Sequence, residues 1–231
     1  MKLSIITPVY NEETSINELL KKVKDVNYGM PFDIIVVNDG STDGTDRQIL
    51  KLKNIIKNIK LISYSKNMGK GHAVRMGIKN SDADIIIIQD ADLEYNPKQI
   101  PNLIRPIIEG KYKVVYGSRF IGQYTGMGFP YLFGNKLLTL MTNFLFKSNL
   151  TDMETCYKAI HRDVLNSIQL NQNGFEIEAE ITSKILKKRF KIKELPIEYI
   201  ARNKKTGKKI GWFDGIKNLI TLLKIRFNFL Y

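Results

Sequence analysis

The chain has 231 residues, 43% of them hydrophobic, which is enough to bury the core of one globular domain. Its 36 lysines and arginines against 23 aspartates and glutamates give a net charge of +13, and this favours an anionic partner: nucleic acid, anionic lipid or a phosphorylated substrate. The single cysteine, Cys156, excludes an internal disulfide and a thiolate metal site, and it indicates a reducing compartment.

Strand and helix patterns alternate through the first 120 residues. Runs of β-branched residues predict strands, and apolar residues at helical spacing between them predict helices. Repeated strand–helix units predict an α/β fold with a mainly parallel central sheet and helices on both faces. The predicted strands are 3–7, 33–38, 60–64, 85–88 and 114–116, and the predicted helices begin near residues 12, 43, 72 and 97.

The pattern changes after Arg119. Residues 122–128 are rich in glycine and predict a loop, and the segments 132–146 and 175–190 predict helices. Residues 195–200 predict a late strand. The tail, 212–231, predicts a basic amphipathic helix that either lies in a membrane interface or packs on the domain or a dimer partner. Its predicted apolar stripe is formed by Ile216, Leu219, Ile220, Leu223 and Phe227, with Asn218 off the stripe. The apolar face is widened by Leu222, Ile225, Phe229 and Leu230.

Three acidic residues on alternate positions follow the most apolar predicted strand. Residues 85–88 are four isoleucines, typical of a strand buried on both faces, and Asp90, Asp92 and Glu94 come directly after them. We expect these carboxylates at the carboxyl end of the strand, where open α/β sheets bind ligands. Alternate side chains of an extended segment point to one side and could share Mg²⁺ or Mn²⁺. Alone, the motif is equally compatible with a solvated turn.

The first two predicted strands also end in polar loops, at residues 8–12 and 38–45. In a parallel sheet these loops lie beside each other, on the same edge as Asp90 and Asp92. Asp39 could accept hydrogen bonds from a base or a ribose hydroxyl there, and we expect the loop glycines to let the backbone approach a ligand closely. Neither a P-loop nor the Gly-x-Gly-x-x-Gly fingerprint of nicotinamide dehydrogenases occurs.

Five polar or glycine-containing motifs follow one another along the chain. They are Pro8-Val9-Tyr10-Asn11-Glu12, Asn38-Asp39-Gly40-Ser41-Thr42-Asp43-Gly44-Thr45, Asn67-Met68-Gly69-Lys70-Gly71, Asp90-Ala91-Asp92 and Gly117-Ser118-Arg119. In this order they resemble the motifs of the family 2 glycosyltransferases with the GT-A fold, and most of all the dolichol- or polyprenyl-phosphate mannose/glucose synthase branch. Residues 151–158, 175–178 and 208–212 extend the resemblance over nearly the whole chain. It implies a GT-A catalytic domain over residues 1–211, followed by the C-terminal amphipathic helix, 212–231.

The resemblance also implies roles for single residues. Glu94 stands where members of the branch often carry glutamine, and a glutamate there could supply a third metal contact. The residues implied to bind the nucleotide-sugar donor are Pro8, Tyr10, Glu12, Asp39, Lys70, Asp90 and Ala91. Those implied to hold Mg²⁺ or Mn²⁺ at the diphosphate are Asp92, Asp90 and Glu94. Those implied to contact phosphates of the acceptor or donor are Arg119, Arg202, Lys208 and Lys209, and the implied catalytic residues are Asp90, Asp92, Arg119 and Asp152.

The implied reaction is metal-dependent, inverting transfer of a hexose from a donor of the GDP-mannose or UDP-glucose type to a polyprenyl or dolichyl phosphate. A lipid phosphate is already anionic near neutral pH and can attack the sugar directly. A sugar hydroxyl would need a general base, for which Asp152 or Glu154 are the first candidates. The alternative is therefore the same fold acting on a hydroxyl of a glycan or another acceptor in cell-surface polysaccharide synthesis.

Two further classes compete with this interpretation. A basic protein that only binds nucleic acid or a lipid surface leaves Asp39, Asp90 and Asp92 unexplained, and a nucleotidyltransferase would release pyrophosphate; we expect no nucleic-acid partner. The amino terminus leads straight into a predicted strand, and no apolar stretch reaches the roughly 20 residues of a transmembrane helix. We predict a cytoplasmic protein whose helix 132–146 and tail contact the cytoplasmic face of the membrane.

Overall fold

The computed structural model describes residues 1–202 and 211–229, which form a sheet of seven strands surrounded by helices. The strands are β1 (Leu3–Val9), β2 (Phe32–Asp39), β3 (Ile59–Tyr64), β4 (Ile85–Ile88), β5 (Val114–Thr125), β6 (Lys158–His161) and β7 (Ile192–Ile200). The helices are α1 (Ile16–Lys24), α2 (Thr45–Lys53), α3 (Lys70–Lys79), α4 (Ile100–Ile108), α5 (Phe129–Phe146), α6 (Arg162–Asn166), α7 (Ile177–Lys187) and α8 (Trp212–Phe227).

The sheet order is β3-β2-β1-β4-β6-β5-β7. β1 pairs in parallel with β2 and β4, β3 pairs in parallel with β2, and only β6 runs antiparallel to its neighbours β4 and β5. All residues of β1 and β4 are buried, so both faces of the central sheet are covered. The predicted α/β class with a mainly parallel sheet is confirmed. The order reverses between β1 and β4, which places the expected ligand edge at the carboxyl ends of these two strands.

Two parts of the sheet differ from the prediction. The predicted loop at 122–128 is wrong for residues 122–125, because they continue β5 and pair with β7 after a register shift between Ser118 and Gln123. Gly122 lies so close to β7 that a Cβ atom would stand 2.0 Å from the Ile197 carbonyl oxygen, so this glycine permits close strand contact rather than a turn. The short strand β6 and the helix α6 had no predicted counterpart, since four or five residues give too little periodicity.

The C-terminal helix α8 packs on the domain through a face that only partly coincides with the predicted one. Asn218, Thr221, Leu222 and Ile225 are buried against α5 and α7. Three residues of the predicted stripe, Ile216, Ile220 and Phe227, are instead exposed. Leu222 and Ile225 belong to the wider apolar face that the sequence predicted, whereas the buried Asn218 was placed off the apolar stripe. Within the described part of the chain, no helix is both long and apolar enough to cross a bilayer.

Candidate active site

A cavity of about 820 Å³ opens at the carboxyl edge of β1, β2 and β4 and extends between α5 and α8. It brings together most of the residues that the sequence singled out. Asp152 is not in its wall, and Lys208 and Lys209 lie outside the described residues. The predicted residues that line the cavity are Pro8, Tyr10, Glu12, Asp39, Lys70, Asp90, Ala91, Asp92, Glu94, Arg119 and Arg202.

The acidic motif after β4 gathers negative charge at a buried position. Burial, together with the charges of Asp90 and Glu94, raises the pKa of Asp92 to about 7, although Arg202 acts in the opposite direction. Leu93 has a φ of +64°, a conformation that costs a non-glycine residue on the order of 1 kcal/mol and that recurs at functional sites. A strained turn at Leu93 thus lies among three carboxylates that line the cavity.

The donor set suits a hard divalent cation. Asp90 and Asp92 offer carboxylate oxygens in the cavity wall, and the surplus negative charge around Asp92 would be relieved by a cation. Among the described residues, no three His, Cys, Asp or Glu side chains enclose a metal position. Two protein ligands are nevertheless typical of Mg²⁺ sites, where substrate phosphates and waters supply the remaining oxygens.

Glu94 and Arg202 connect the acidic motif to the end of β7. One Glu94 oxygen accepts the Tyr199 hydroxyl at 2.6 Å and the other accepts the Arg202 backbone N–H at 2.8 Å. The Arg202 guanidinium donates to the Asp92 carbonyl at 3.0 Å and to the Glu12 carboxylate at 2.6 Å. Each Glu94 oxygen thus accepts one hydrogen bond from the end of β7, which fixes the orientation of this carboxylate. Arg202 bridges the loops after β1 and β4, so it is placed at the predicted donor end of the cavity.

Lys70 forms an ion-paired link between Asp90 and helix α7. Its Nζ lies 2.8 Å from an Asp90 oxygen and 3.0 Å from an oxygen of Glu178. Burial alone would lower the pKa of the Lys70 ammonium, but Asp90 and Glu178 raise it well above its usual value. The other Glu178 oxygen pairs with Lys158, which is fully buried. Lys70 therefore stays charged beside Asp90, where it can also meet a phosphate.

Asp39 holds the neighbouring loop in place. Its two carboxylate oxygens accept the backbone N–H groups of Met68 at 3.0 Å and Gly69 at 2.7 Å. Gly69 has a φ of +100°, and a Cβ atom there would stand 2.4 Å from the Asn173 carbonyl oxygen. Gly40 similarly lies against the Asn67 backbone, with 2.5 Å to a built Cβ. Glycine is therefore required at these positions because two loops pack closely against each other. We had expected glycine there for the close approach of a ligand. The contact of Asp39 with a base or ribose stays a prediction.

Arg119 and Asp152 form a buried bidentate ion pair. The Arg119 guanidinium donates to both Asp152 oxygens at 2.7 Å, and the Arg119 backbone N–H adds a bond of 3.0 Å. Asp152 is fully buried, whereas the Arg119 guanidinium lies 5.2 Å from the Tyr199 ring centre and lines the cavity. Asp152 thus positions Arg119. With both oxygens held and no place in the cavity wall, it is not arranged to take a proton from a substrate.

Glu154, two residues after Asp152, carries a carboxylate that faces the cavity. Burial raises the pKa of Glu154 to about 7; Lys158 and Arg119 act to lower it, and Glu178 and Asp152 to raise it. Asn218 of α8 approaches it, with its amide nitrogen 3.5 Å from a Glu154 oxygen. The sequence did not predict the roles of Asn218, Tyr199 or the pairing of Glu178. Their partners come from other elements of the fold, so local spacing carries no signal for them.

The far end of the cavity is apolar. Its wall there is formed by side chains of α5 and α8. Both helices also expose large apolar residues to solvent, and two of these residues belong to the cavity wall as well. The wall residues are Leu137, Leu138, Met141, Ile216 and Leu219. The exposed residues are Phe129, Phe133, Leu137, Leu140 and Phe144 on α5 and Phe213, Ile216, Ile220 and Phe227 on α8. We call this set the α5–α8 face; since Leu137 and Ile216 belong to both sets, the face is continuous with the cavity.

The sequence is similar to known proteins over most of its length. The sequence model of Glycosyl transferase family 2 matches residues 4–169. A dolichol-phosphate mannosyltransferase of Pyrococcus furiosus is 30% identical over 234 residues, which cover 97% of this chain but only 64% of that protein, less than two thirds of its length. The uncharacterized protein MJ1222 of Methanocaldococcus jannaschii is 28% identical over 229 residues, which cover 96% of this chain and 91% of that protein.

The fold is shared with solved structures of glucosyl-3-phosphoglycerate synthase from Mycobacterium tuberculosis. Its complex with Mn²⁺, UDP-glucose and phosphoglyceric acid matches with a TM-score of 0.77 at 19% identity, over 97% of this chain and 79% of that one. Its complex with Mn²⁺, UDP and phosphoglyceric acid matches with a TM-score of 0.75 at 17% identity, over 98% of this chain and 78% of that one. At these identities the likeness shows the fold alone, and it confirms the predicted GT-A fold.

Proposed function

The chain belongs to glycosyl transferase family 2, as its five motifs predicted, and from this premise we propose that it transfers a hexose from a nucleotide sugar to a polyprenyl phosphate. The observation that carries the proposal is the shape of the cavity, whose charged end lies at the strand edge and whose apolar end lies between α5 and α8. A lipid phosphate has the same two parts. Its phosphate would meet Arg119 and its isoprenoid chain would lie along α5 and α8.

The similar proteins support a nucleotide-sugar donor and a phosphate-bearing acceptor, but they differ in the identity of each. The relative from Pyrococcus furiosus is a dolichol-phosphate mannosyltransferase, which favours a lipid phosphate acceptor and a GDP-mannose type of donor. The synthase from Mycobacterium tuberculosis was crystallised with UDP-glucose and a phosphorylated acid, which favours a UDP-glucose type of donor and another phosphate acceptor. A phosphate-bearing acceptor is common to the two, and Arg119 and the net charge of +13 agree with it.

Asp90 and Asp92 would hold a divalent cation, Mg²⁺ or Mn²⁺, together with the diphosphate of the donor. Bound there, the cation would stabilise the negative charge that develops on the leaving nucleoside diphosphate. Lys70 adds a positive charge beside Asp90, at 2.8 Å, and Arg202 fixes the turn through the Asp92 carbonyl. These residues orient the donor while an acceptor phosphate oxygen bonds to the anomeric carbon and the bond to the diphosphate breaks, with inversion.

The test of this proposal is the fate of a labelled sugar. The protein is incubated with Mg²⁺ or Mn²⁺, polyprenyl phosphate in detergent, and radiolabelled UDP-glucose or GDP-mannose in turn. We expect one of the two donors to yield a label that is extracted into organic solvent, with release of a nucleoside diphosphate. Release of pyrophosphate, or a label that stays in the aqueous phase with both donors, would count against the proposal.

A hydroxyl acceptor is the second candidate, and one observation favours it. Glu154 faces the cavity with a pKa of about 7, which suits a general base near neutral pH. A base has no task when the acceptor is a phosphate that is already ionised. Transfer to an oligosaccharide that rises with pH through about 7 and is abolished by Glu154→Gln would favour this candidate over the lipid phosphate.

We also propose that the α5–α8 face rests on an anionic membrane. The face joins the apolar end of the cavity, and both helices carry lysines: Lys136 lies on α5, Lys147 directly follows it, and Lys217 and Lys224 lie on α8. Aromatic and aliphatic side chains bordered by lysines are typical of helices that lie in a lipid interface. A lipid substrate could then enter the cavity without leaving the bilayer.

The membrane proposal predicts flotation with anionic liposomes. Replacing the exposed Phe133 and Phe144 with serine removes apolar contact area, and we expect the variant to leave the liposome fraction at moderate salt. The matched control is Ile55→Ser, which removes an exposed apolar side chain outside this face. Equal flotation of all three proteins, or no flotation of the unaltered protein, would contradict the proposal.

A further inference from the structure

Glu154 and Asn218 place two unpartnered oxygens in the cavity wall. Glu154 precedes β6, and Asn218 lies on the buried face of α8 with 3% of its surface exposed. Within residues 1–202 and 211–229, neither the Glu154 Oε1 nor the Asn218 Oδ1 has a hydrogen-bond partner, although both atoms are shielded from bulk solvent. Leaving a buried oxygen unpaired is unfavourable, so the pair is arranged to accept hydrogen bonds from something that enters the cavity.

The pair adjoins the residues that hold the donor. Glu154 is in electrostatic contact with Glu178, and Glu178 pairs with Lys70, whose ammonium group in turn lies 2.8 Å from Asp90. Glu154, Glu178, Lys70 and Asp90 all line the same cavity. A ligand group that meets Glu154 and Asn218 therefore sits beside the donor end.

The chemistry of the two side chains selects the ligand class. A carboxylate oxygen and an amide oxygen accept hydrogen bonds, and the Asn218 amide nitrogen, 3.5 Å from Glu154, adds one donor. A phosphate would be repelled by Glu154 and by Glu178 behind it, and an isoprenoid chain would leave both oxygens unpaired. Neighbouring hydroxyl groups of a sugar donate two hydrogen bonds and accept a third, which matches the pair.

We infer that Glu154 and Asn218 bind hydroxyl groups of the hexose carried by the donor and thereby take part in choosing the sugar. This inference rests on the proposed use of a nucleotide sugar, but it does not depend on the acceptor. Helix α8 then completes the sugar end of the site.

The experiment compares a nucleotide with its sugar conjugate. Isothermal titration with Mg²⁺ gives Kd for UDP, GDP, UDP-glucose and GDP-mannose. The gain from the sugar is the Kd of the nucleoside diphosphate divided by the Kd of its sugar conjugate. We expect Glu154→Leu and Asn218→Ala to lower that gain by about 10- to 100-fold and to leave binding of the nucleoside diphosphate unchanged. Glu154→Gln keeps one acceptor and should lose less.

The matched control is Glu180→Gln, which alters a fully buried carboxylate on α7 that is not in the cavity wall. It should change stability and leave the gain from the sugar intact. A second readout is pH: the gain should rise through about pH 7 in the unaltered protein, as Glu154 ionises among Lys158, Arg119, Glu178 and Asp152, and stay flat in Glu154→Gln.

The outcomes separate this inference from the proposed function. An unchanged gain in Glu154→Leu and Asn218→Ala, with sugar conjugates still bound, would overturn the inference alone, and so would a loss of turnover without loss of sugar affinity. A protein that binds no nucleotide sugar would overturn both. A reduced gain together with no lipid product would support the inference and count only against the proposed acceptor.

Discussion

The ion pair between Arg119 and Asp152 offers a test of whether Asp152 positions Arg119 or acts on the substrate. The variant Asp152→Asn keeps the shape of the side chain and removes its charge. Arg119, which is only 5% exposed, then loses the charged partner of its guanidinium. Breaking one partner of such a buried pair costs about 3–5 kcal/mol. For a protein of this size, about 2–4 °C accompany each kcal/mol, so we expect Tm to fall on the order of 10 °C.

A double variant distinguishes a lost charge from lost packing. Replacing Arg119 with methionine and Asp152 with leucine removes both charges at similar volume, and such replacements are often neutral or stabilising. We expect the double variant to regain most of the Tm and to remain inactive, because Arg119 lines the cavity. Scanning calorimetry and the transfer assay measure the two properties. Wild-type stability in Asp152→Asn, or equal instability in both variants, would refute a charge-based role of the pair.

Two other predictions concern stability. Because folding raises the pKa of Glu154 from its usual 4.5 to about 7, the folded state prefers the protonated form, and stability falls as pH rises between these values. Glu154→Gln should therefore stabilise the protein by on the order of 2–3 kcal/mol at pH 8 and have little effect at pH 4. Urea titrations at the two pH values measure the free energy of unfolding. An equal change in that free energy at pH 4 and pH 8 would contradict this prediction. Gly69→Ala places a Cβ 2.4 Å from the Asn173 carbonyl oxygen at a φ of +100°, so it should cost roughly 1–3 kcal/mol and weaken nucleotide binding. Gly110→Ala, at a φ of +69° with no atom within 4 Å of the added Cβ, gives the cost of a positive φ without a close contact. Equal losses in the two glycine variants would show that contact with Asn173 does not matter.

The sequence predicted the part of the site that single loops build. The runs of isoleucine and valine in β1, β2 and β4 mark buried parallel strands, and the polar residues after them must gather at one edge. Asp39, Asp90 and Asp92 were predicted for this reason, and all three line the cavity. Their roles towards donor and metal stay predictions.

The remaining part of the site depends on contacts between distant segments. Lys70 meets Glu178 of α7, Glu94 meets Tyr199 of β7, and Glu154 meets Asn218 of α8. Spacing within a segment contains no information about such pairs. Asn218 was placed off the apolar stripe of α8, yet it is buried and lines the cavity behind the helix.

The central claim is that a sugar is transferred to a lipid phosphate at the site of Asp90 and Asp92. Its most direct test is the initial rate of transfer to polyprenyl phosphate and to polyprenol, the same lipid without the phosphate, at equal concentrations. We predict labelled product only with the phosphate. We also predict a rate at least about 100-fold lower in Asp92→Asn, because this variant lacks the charge that we propose holds the cation at the diphosphate. Equal rates with the two lipids, or near-normal transfer by Asp92→Asn, would contradict the claim.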